Sequence, residues 1–209
     1  MKKFIILLIL FNIAVFAQTF TDLRDGKKYK TVKIGTQTWL AENLNYNVTG
    51  SRCYDNKQDA CTKYGRLYSW EQAKRACPAG WHLPSDKEWQ TLVDFAQGEL
   101  NAGRKSKSKS DWEKYDFSKK SPSTPQCRWR TGAIEHNHCV TDEFGFSALP
   151  GGYGSSKGYF MAGNLGYWWS ATEFDGHSPW FRSMYYNFSS VLRLYFDKTF
   201  LLSVRCVMD

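Results

Sequence analysis

Imidazole together with carboxylate can hold a transition metal, and His136-Asn137-His138 with Glu135 and Asp142 nearby has the residue types for it. The i, i+2 spacing puts both rings on one side only where the backbone is extended, and the segment around them is polar and loop-like. No metal site is expected there. Asp175 and His177, with Ser170 and Ser178 close in sequence, hold the ingredients of an acyl-transfer triad. Neighbours in one loop rarely adopt the spatial arrangement a triad needs, so these residues read as a surface turn. Neither a His-Glu-x-x-His helix nor a glycine loop of the phosphate-cradling kind is present, and no nucleophile elbow is assigned. The sequence therefore offers no catalytic residue, no metal and no cofactor.

Flat rings are the more conspicuous chemistry: 9 Trp, 12 Tyr and 14 Phe make 17% of the chain. Trp168, Trp169 and Trp180, with Tyr153, Tyr159 and Tyr167, fall on or beside expected loops. Successive strand residues point to opposite faces, so Trp168 and Trp169 cannot pack against one side of a single sheet. One of the two is expected to be exposed or covered by a loop. An exposed ring is a stacking platform for a sugar or another flat ligand, and these six are the ligand-binding candidates. The competing reading is a core that uses rings to fill a fold with little regular structure.

Six cysteines follow the leader: Cys53, Cys61, Cys77, Cys127, Cys139 and Cys206. An even number fits an oxidising compartment. Cys53 with Cys61 and Cys127 with Cys139 each bracket a short loop, so local closure suits both pairs and leaves Cys77 with Cys206. The leader supports that compartment. Met1-Lys2-Lys3 precedes an apolar run from Phe4 to Phe16, interrupted only by Asn12, and Val15-Phe16-Ala17 precedes Gln18. This is the layout of a secretory signal peptide with cleavage after Ala17. The run is shorter than the roughly 20 apolar residues of a membrane span, and no later stretch approaches one, so the mature chain is expected to have no transmembrane segment.

Removing residues 1–17 leaves 192 of 209 residues, and the formal charge falls from +8 to +6. One domain of that size is expected. Part of the charge lies in Arg104-Lys105-Ser106-Lys107-Ser108-Lys109, which reads as a solvated loop. Export removes intracellular nucleic acid from the expected partners.

The elements that must hold these residues are read from pattern. Lys28 to Ile34 alternates polar and apolar side chains, Gly35 interrupts, and Gln37 to Leu44 resumes, which is a hairpin. Ser69 with Gln72 and Ser85 with Glu88 have capping-box spacing, predicting a helix through Ala76 and another beginning near Asp86. Trp89, Leu92, Val93 and Ala96 would form the buried stripe of the second. Residues 98–142 are rich in Lys, Ser, Pro and Asn and read as a polar insertion with limited regular structure. Strands are expected at 144–149, 158–161, 167–172, 180–188, 191–196 and 201–207, separated by turn residues. Helices in the first half and an antiparallel sheet in the second make the class α+β.

Tyr64-Gly65-Arg66-Leu67-Tyr68-Ser69-Trp70, the block Gly80 to Trp89, Phe144 to Gly152, Trp168-Trp169-Ser170-Ala171-Thr172 and Ser203-Val204-Arg205-Cys206-Val207 together resemble the Fibrobacter succinogenes major paralogous domain. The resemblance spans roughly residues 31–209, leaving 18–30 as a lead-in after the signal peptide. It implies a C-type-lectin-like fold, shared with formylglycine-generating enzymes: two helices beside a twisted antiparallel sheet, with long irregular loops. It also implies a bridge from the first helix to the last strand, where Cys77 and Cys206 stand, so that three disulfides are expected in all. An enzyme of the formylglycine-generating kind needs a cysteine pair for copper and oxidation, and every cysteine here has a structural partner. The calcium-binding triplets of lectins are absent. The expectation is a secreted, non-enzymatic surface or adhesion-type module binding an extracellular polysaccharide or an envelope protein. An oxidative enzyme and a structural envelope spacer are the alternatives.

Overall fold

A computed structural model of the protein describes residues 18–112 and 140–209. The expected hairpin is present: β2 (Lys28–Ile34) pairs antiparallel with β3 (Gln37–Leu40), and β1 (Gln18–Thr21) lies on the other side of β2. Gly35 takes φ +59 in the turn that pairs Ile34 with Gln37, a backbone angle that costs other residues and suits glycine. Helix α1 (Gln58–Tyr64), strand β4 (Leu67–Tyr68) and helix α2 (Trp70–Ala73) follow. Then come β5 (Trp81–His82), α3 (Asp86–Phe95) and α4 (Glu99–Ser106). The second half consists of β6 (Tyr153–Ser155), β7 (Gly158–Phe160), β8 (Leu165–Glu173), β9 (Pro179–Tyr185), β10 (Leu192–Tyr195), β11 (Leu202–Ser203) and β12 (Val207–Met208).

Two five-stranded sheets result, ordered β1-β2-β3-β12-β5 and β10-β9-β8-β11-β4, and β6 with β7 forms a separate hairpin. Among the described strands all pairings are antiparallel except β8 with β11, which meet at Ser203 and Trp168. The class is α+β. The segment expected as a single strand over 201–207 is instead two strands, one in each sheet, with Val204, Arg205 and Cys206 crossing between them. A two-residue strand suffices on each side because every crossing residue is buried and bonded.

Both capping boxes form. Ser85 Oγ accepts the Glu88 N–H at 3.2 Å while Glu88 Oε2 accepts the Ser85 N–H at 2.7 Å. The expected stripe of Trp89, Leu92, Val93 and Ala96 is buried. The first helix ends sooner than its pattern suggests, at Ala73, and tight turns carry the chain through Ala76 to Pro78.

Several expectations fail for identifiable physical reasons. Residues 99–106 of the supposed polar insertion are helical, and the basic run is no solvated loop: Lys105, Ser106, Lys107 and Ser108 are all buried. Lys107 Nζ donates to the carbonyls of Phe188 at 2.7 Å and Tyr185 at 2.9 Å, so backbone oxygens replace its water. Gly103 lies so close to Ser189 and Ser190 that a Cβ there would sit 2.3 Å from the Ser190 carbonyl oxygen. Residues 144–149 form no strand. Phe146 instead packs its ring edge-on against both Trp39 and Trp89, at 5.7 and 6.0 Å.

Trp168 and Trp169 are both fully buried, which corrects the expectation that one would be exposed or merely covered by a loop. The sheet containing β8 is covered on both faces, so neighbouring side chains enter two different cores. Trp168 packs with Trp39, Trp89, Phe146 and Met184, whereas Trp169 packs with Tyr68, Trp70, Phe181 and Leu202.

Cys53–Cys61 and Cys77–Cys206 are disulfides. Cys127 and Cys139, expected to form a third, lie outside the described residues, as do Glu135, His136 and His138. Cys77–Cys206 spans 129 residues and Cys53–Cys61 spans 8. Chain entropy then assigns them about 5 and about 2.5 kcal/mol of stability. Replacing Cys77 and Cys206 with alanine should lower the urea-unfolding free energy by about twice as much as replacing Cys53 and Cys61. Equal losses from the two pairs would contradict that ranking.

Candidate functional site

The residues that could do chemistry are first sorted by what already engages them. Asp175 Oδ1 accepts the backbone N–H groups of His177 at 2.8 Å and Ser178 at 2.7 Å. Its carboxylate therefore braces a tight turn between β8 and β9, and these hydrogen bonds hold its pKa below the usual carboxylate value. Ser170 is buried, with its Oγ accepting the Thr172 N–H. No triad is assembled from this loop. Asp142, the described member of the histidine cluster, spends its oxygens on the N–H and hydroxyl of Ser147. Gly154-Ser155-Ser156-Lys157-Gly158 has the letters of a nucleophile elbow, but it forms the β6–β7 hairpin and not a strand-to-helix turn. Among the described residues no group of three or more His, Cys, Asp or Glu could hold a metal.

His82 is engaged from both sides. Its Nδ1 lies 2.6 Å from Asp209 Oδ1 and its Nε2 2.8 Å from Glu88 Oε1, joining β5, the start of α3 and residue 209. Burial works against the imidazolium, but the two carboxylates outweigh it and raise the His82 pKa. Burial also opposes the Glu88 carboxylate, yet the hydrogen bonds from Ser85 and His82 lower its pKa.

The six aromatic candidates do not gather in one place. Trp168, Trp169 and Tyr167 are core residues. Tyr153 is half-buried and stacks on Tyr167 and Phe160 at 5.4 and 5.3 Å. Tyr159, next to Phe160 on β7, points the other way, against Tyr54, and bonds Asn56 through its hydroxyl. Trp180 alone of the three tryptophans is only half-buried.

Trp180 belongs to a cluster whose other members the sequence did not single out. Pairing of β9 with β10 sets Tyr195 opposite Trp180 and Arg193 opposite Arg182 on one face of the sheet. Phe174, at the end of β8, stacks on Tyr195 at 4.3 Å and meets Trp180 edge-on at 4.7 Å. Phe174 is 48% and Tyr195 51% exposed, unusual for large rings. The cluster is braced from beneath. Arg193 lies 3.5 Å over the Trp180 ring and donates through Nε to both carboxylate oxygens of Asp86, while Arg182, fully buried, donates Nη2 to Asp86 Oδ1 at 2.8 Å. Asp86 is the first residue of α3, where a negative charge also favours the helix. One capping segment thus fixes two arginines, one of which holds Trp180.

A family profile, the Fibrobacter succinogenes major domain, matches residues 32–208. The chain belongs to that family. No curated protein and no solved structure matches it. Of the five sequence blocks that resemble the Fibrobacter succinogenes major domain, all contribute to the two cores, and only Asp86 touches the exposed cluster. Phe174, Trp180, Arg193 and Tyr195 lie outside the blocks. The signal that could have found Tyr195 is its register opposite Trp180, which needs the β9–β10 pairing and is not a local pattern.

Another set of polar groups is wholly structural. Arg205 is buried without a carboxylate in hydrogen-bond contact among the described residues. Its guanidinium donates to Asn43 Oδ1 at 2.9 Å and to the carbonyls of Leu40 at 3.1 Å and Ser147 at 3.3 Å, and it lies over the Phe146 ring. Burial pulls its pKa down to about 9. Asn43 Oδ1 also accepts the Trp168 indole N–H at 2.8 Å, and Asn43 Nδ2 donates to the Tyr64 carbonyl at 2.8 Å.

Two outcomes follow. Asn43→Ala should cost about 3 to 5 kcal/mol, because it strips acceptors from a buried guanidinium and a buried indole together. Urea unfolding measures this, and a loss below about 1 kcal/mol would show that Asn43 is no hub. The His82 link contributes stability in full below its ordinary value of 6.5 and loses it as pH rises through the raised folded value. Glu88 contributes above its ordinary 4.5 and loses it as pH falls through its lowered value. Wild type should therefore exceed His82→Gln in stability most clearly between those two ordinary values, by up to about 1 kcal/mol for so exposed a pair. The difference should shrink above neutral pH in parallel denaturation series.

Proposed function

We propose that this domain is a secreted, non-catalytic binding module that docks an extracellular polysaccharide on the rings of Phe174, Trp180 and Tyr195. The observation that carries the reading is the exposure of Phe174 and Tyr195 on strand ends whose backbone and neighbours are fixed. A water-exposed ring held in one orientation gains from covering by the apolar face of a sugar and loses little conformational entropy in doing so. The leader-like apolar run at residues 4–16 and the two disulfides among the described residues support an extracellular location. A C-type-lectin-like architecture is part of the same reading, supported by the Cys77–Cys206 bridge and by short antiparallel strands joined through long loops.

The oxidative-enzyme alternative needs reduced, metal-accessible cysteines. Cys77 and Cys206 are joined to each other and Cys206 is fully buried, which favours the binding reading. An envelope-protein partner would use the same rings and is distinguished by its insensitivity to competing glycans.

The test is binding of the purified protein to a glycan array and to insoluble cellulose and xylan. Wild type should be retained, and Tyr195→Ala and Trp180→Ala should each weaken retention by about tenfold, the scale of one aromatic contact. Absence of any glycan binding by wild type would overturn the proposal and leave the spacer reading.

A further inference from the structure

A cleft of about 190 Å³ opens between the β2–β3 layer and α1, and none of its lining residues belongs to the ring cluster. That volume is about six waters' share of liquid, room for one sugar ring and too little for a folded segment of another protein. Its floor is Cys61, Gly65 and Leu149. Gly65 has φ +76, and a Cβ there would stand 2.8 Å from the Asn43 Cβ and 2.9 Å from the Leu44 carbonyl oxygen, so only glycine keeps the floor in place. The Cys53–Cys61 bridge fixes α1 on one side. On the other, Tyr29, whose phenol burial pushes up to about 12, accepts the Asn45 N–H at 3.1 Å.

Three lysines and one glutamate are among the residues lining this cleft: Lys27, Lys28, Lys63 and Glu42. Lys27 pairs with Asp25 at 3.1 Å and Lys63 with Asp111 at 2.9 Å. Neither acid lines the cleft. Lys28 has no ion-pair partner among the described residues. Glu42 Oε2 accepts the Lys30 N–H at 2.7 Å, while its Oε1 and the Asn45 carboxamide have no hydrogen bond among the described residues. The Tyr64 ring completes the wall, with the Lys63 ammonium 5.0 Å above it.

These groups want different things from a ligand. An unpaired lysine wants an anion; a free carboxylate oxygen wants a hydroxyl donor and would repel a second anion close by; a carboxamide takes either; a ring wants a flat apolar face. A phosphate satisfies the first and is repelled by the second. A neutral sugar satisfies all but the first. We infer that the cleft is a binding subsite for a uronate unit of an acidic polysaccharide, its carboxylate on Lys28 and its ring hydroxyls on Glu42 and Asn45. This inference rests on the polysaccharide reading above and adds to it a preference for acidic chains.

The experiment titrates tetragalacturonate and cellotetraose, the acidic and the neutral probe, into wild type, Lys28→Gln and Tyr195→Ala by calorimetry. Lys28 is exposed, so its replacement should leave the thermal midpoint unchanged. Wild type should bind the acidic probe at least tenfold more tightly, with the preference falling as salt is raised. Lys28→Gln should abolish the preference and leave binding of the neutral probe as it was. Equal binding of the two probes by wild type, or a preference that survives Lys28→Gln, would overturn the subsite while leaving the ring cluster standing. Full acidic binding by Tyr195→Ala with no neutral binding by any variant would uphold the subsite and overturn the ring cluster.

Discussion

One carboxamide oxygen sits where the two halves of this molecule meet. Asn43 Oδ1 accepts from the indole of Trp168 on β8 and from Nε and Nη2 of Arg205, which crosses between the two sheets. A guanidinium taken wholly out of water is expensive unless its donors are met, and here they are met by that oxygen and by main-chain carbonyls. Those carbonyls come from Leu40 at the end of β3 and from Phe146 and Ser147 in the segment that packs Phe146 against Trp39 and Trp89. Asn43 can also donate, and it spends that capacity on the Tyr64 carbonyl beside α1. Aspartate would keep the acceptors and lose that donor; leucine would lose both.

What was legible in the sequence was local. The two capping boxes, the hairpin at Gly35 and the apolar stripe of α3 each depend on residues within one or two turns of each other. The structure departs from the sequence reading wherever a distant segment changes what a residue type means. Lysine is normally a surface residue, and Lys107 is buried because carbonyls some 80 positions later in the chain replace its water. Two adjacent tryptophans normally imply one wet face, and Trp168 and Trp169 escape this because both sides of their sheet are covered. In the exposed ring cluster only Trp180 was legible. Phe174 and Tyr195 acquire their roles through register, which no nearest-neighbour pattern carries.

The family blocks and the exposed surfaces divide the labour. Residues 64–70, 80–89, 144–152, 168–172 and 203–207 supply tryptophans, capping residues and the crossing strand, most of them spent on holding the scaffold. Asp86 is an exception, since its carboxylate reaches outward to Arg182 and Arg193 and through the latter steadies Trp180, and Tyr64, Gly65 and Leu149 also line the cleft. A scaffold of this kind can change its exposed rings without touching its core.

The crossing of residues 202–208 between the sheets also sets an order of events. β11 and β12 are interior strands, each flanked on both sides, and their partners include segments as early as Trp39, Leu67 and Trp81. Neither sheet can close until that stretch is available, because every other described strand precedes it in the chain. Cys206 lies in the same stretch, so its bridge to Cys77 waits for it as well, whereas the local Cys53–Cys61 bridge does not.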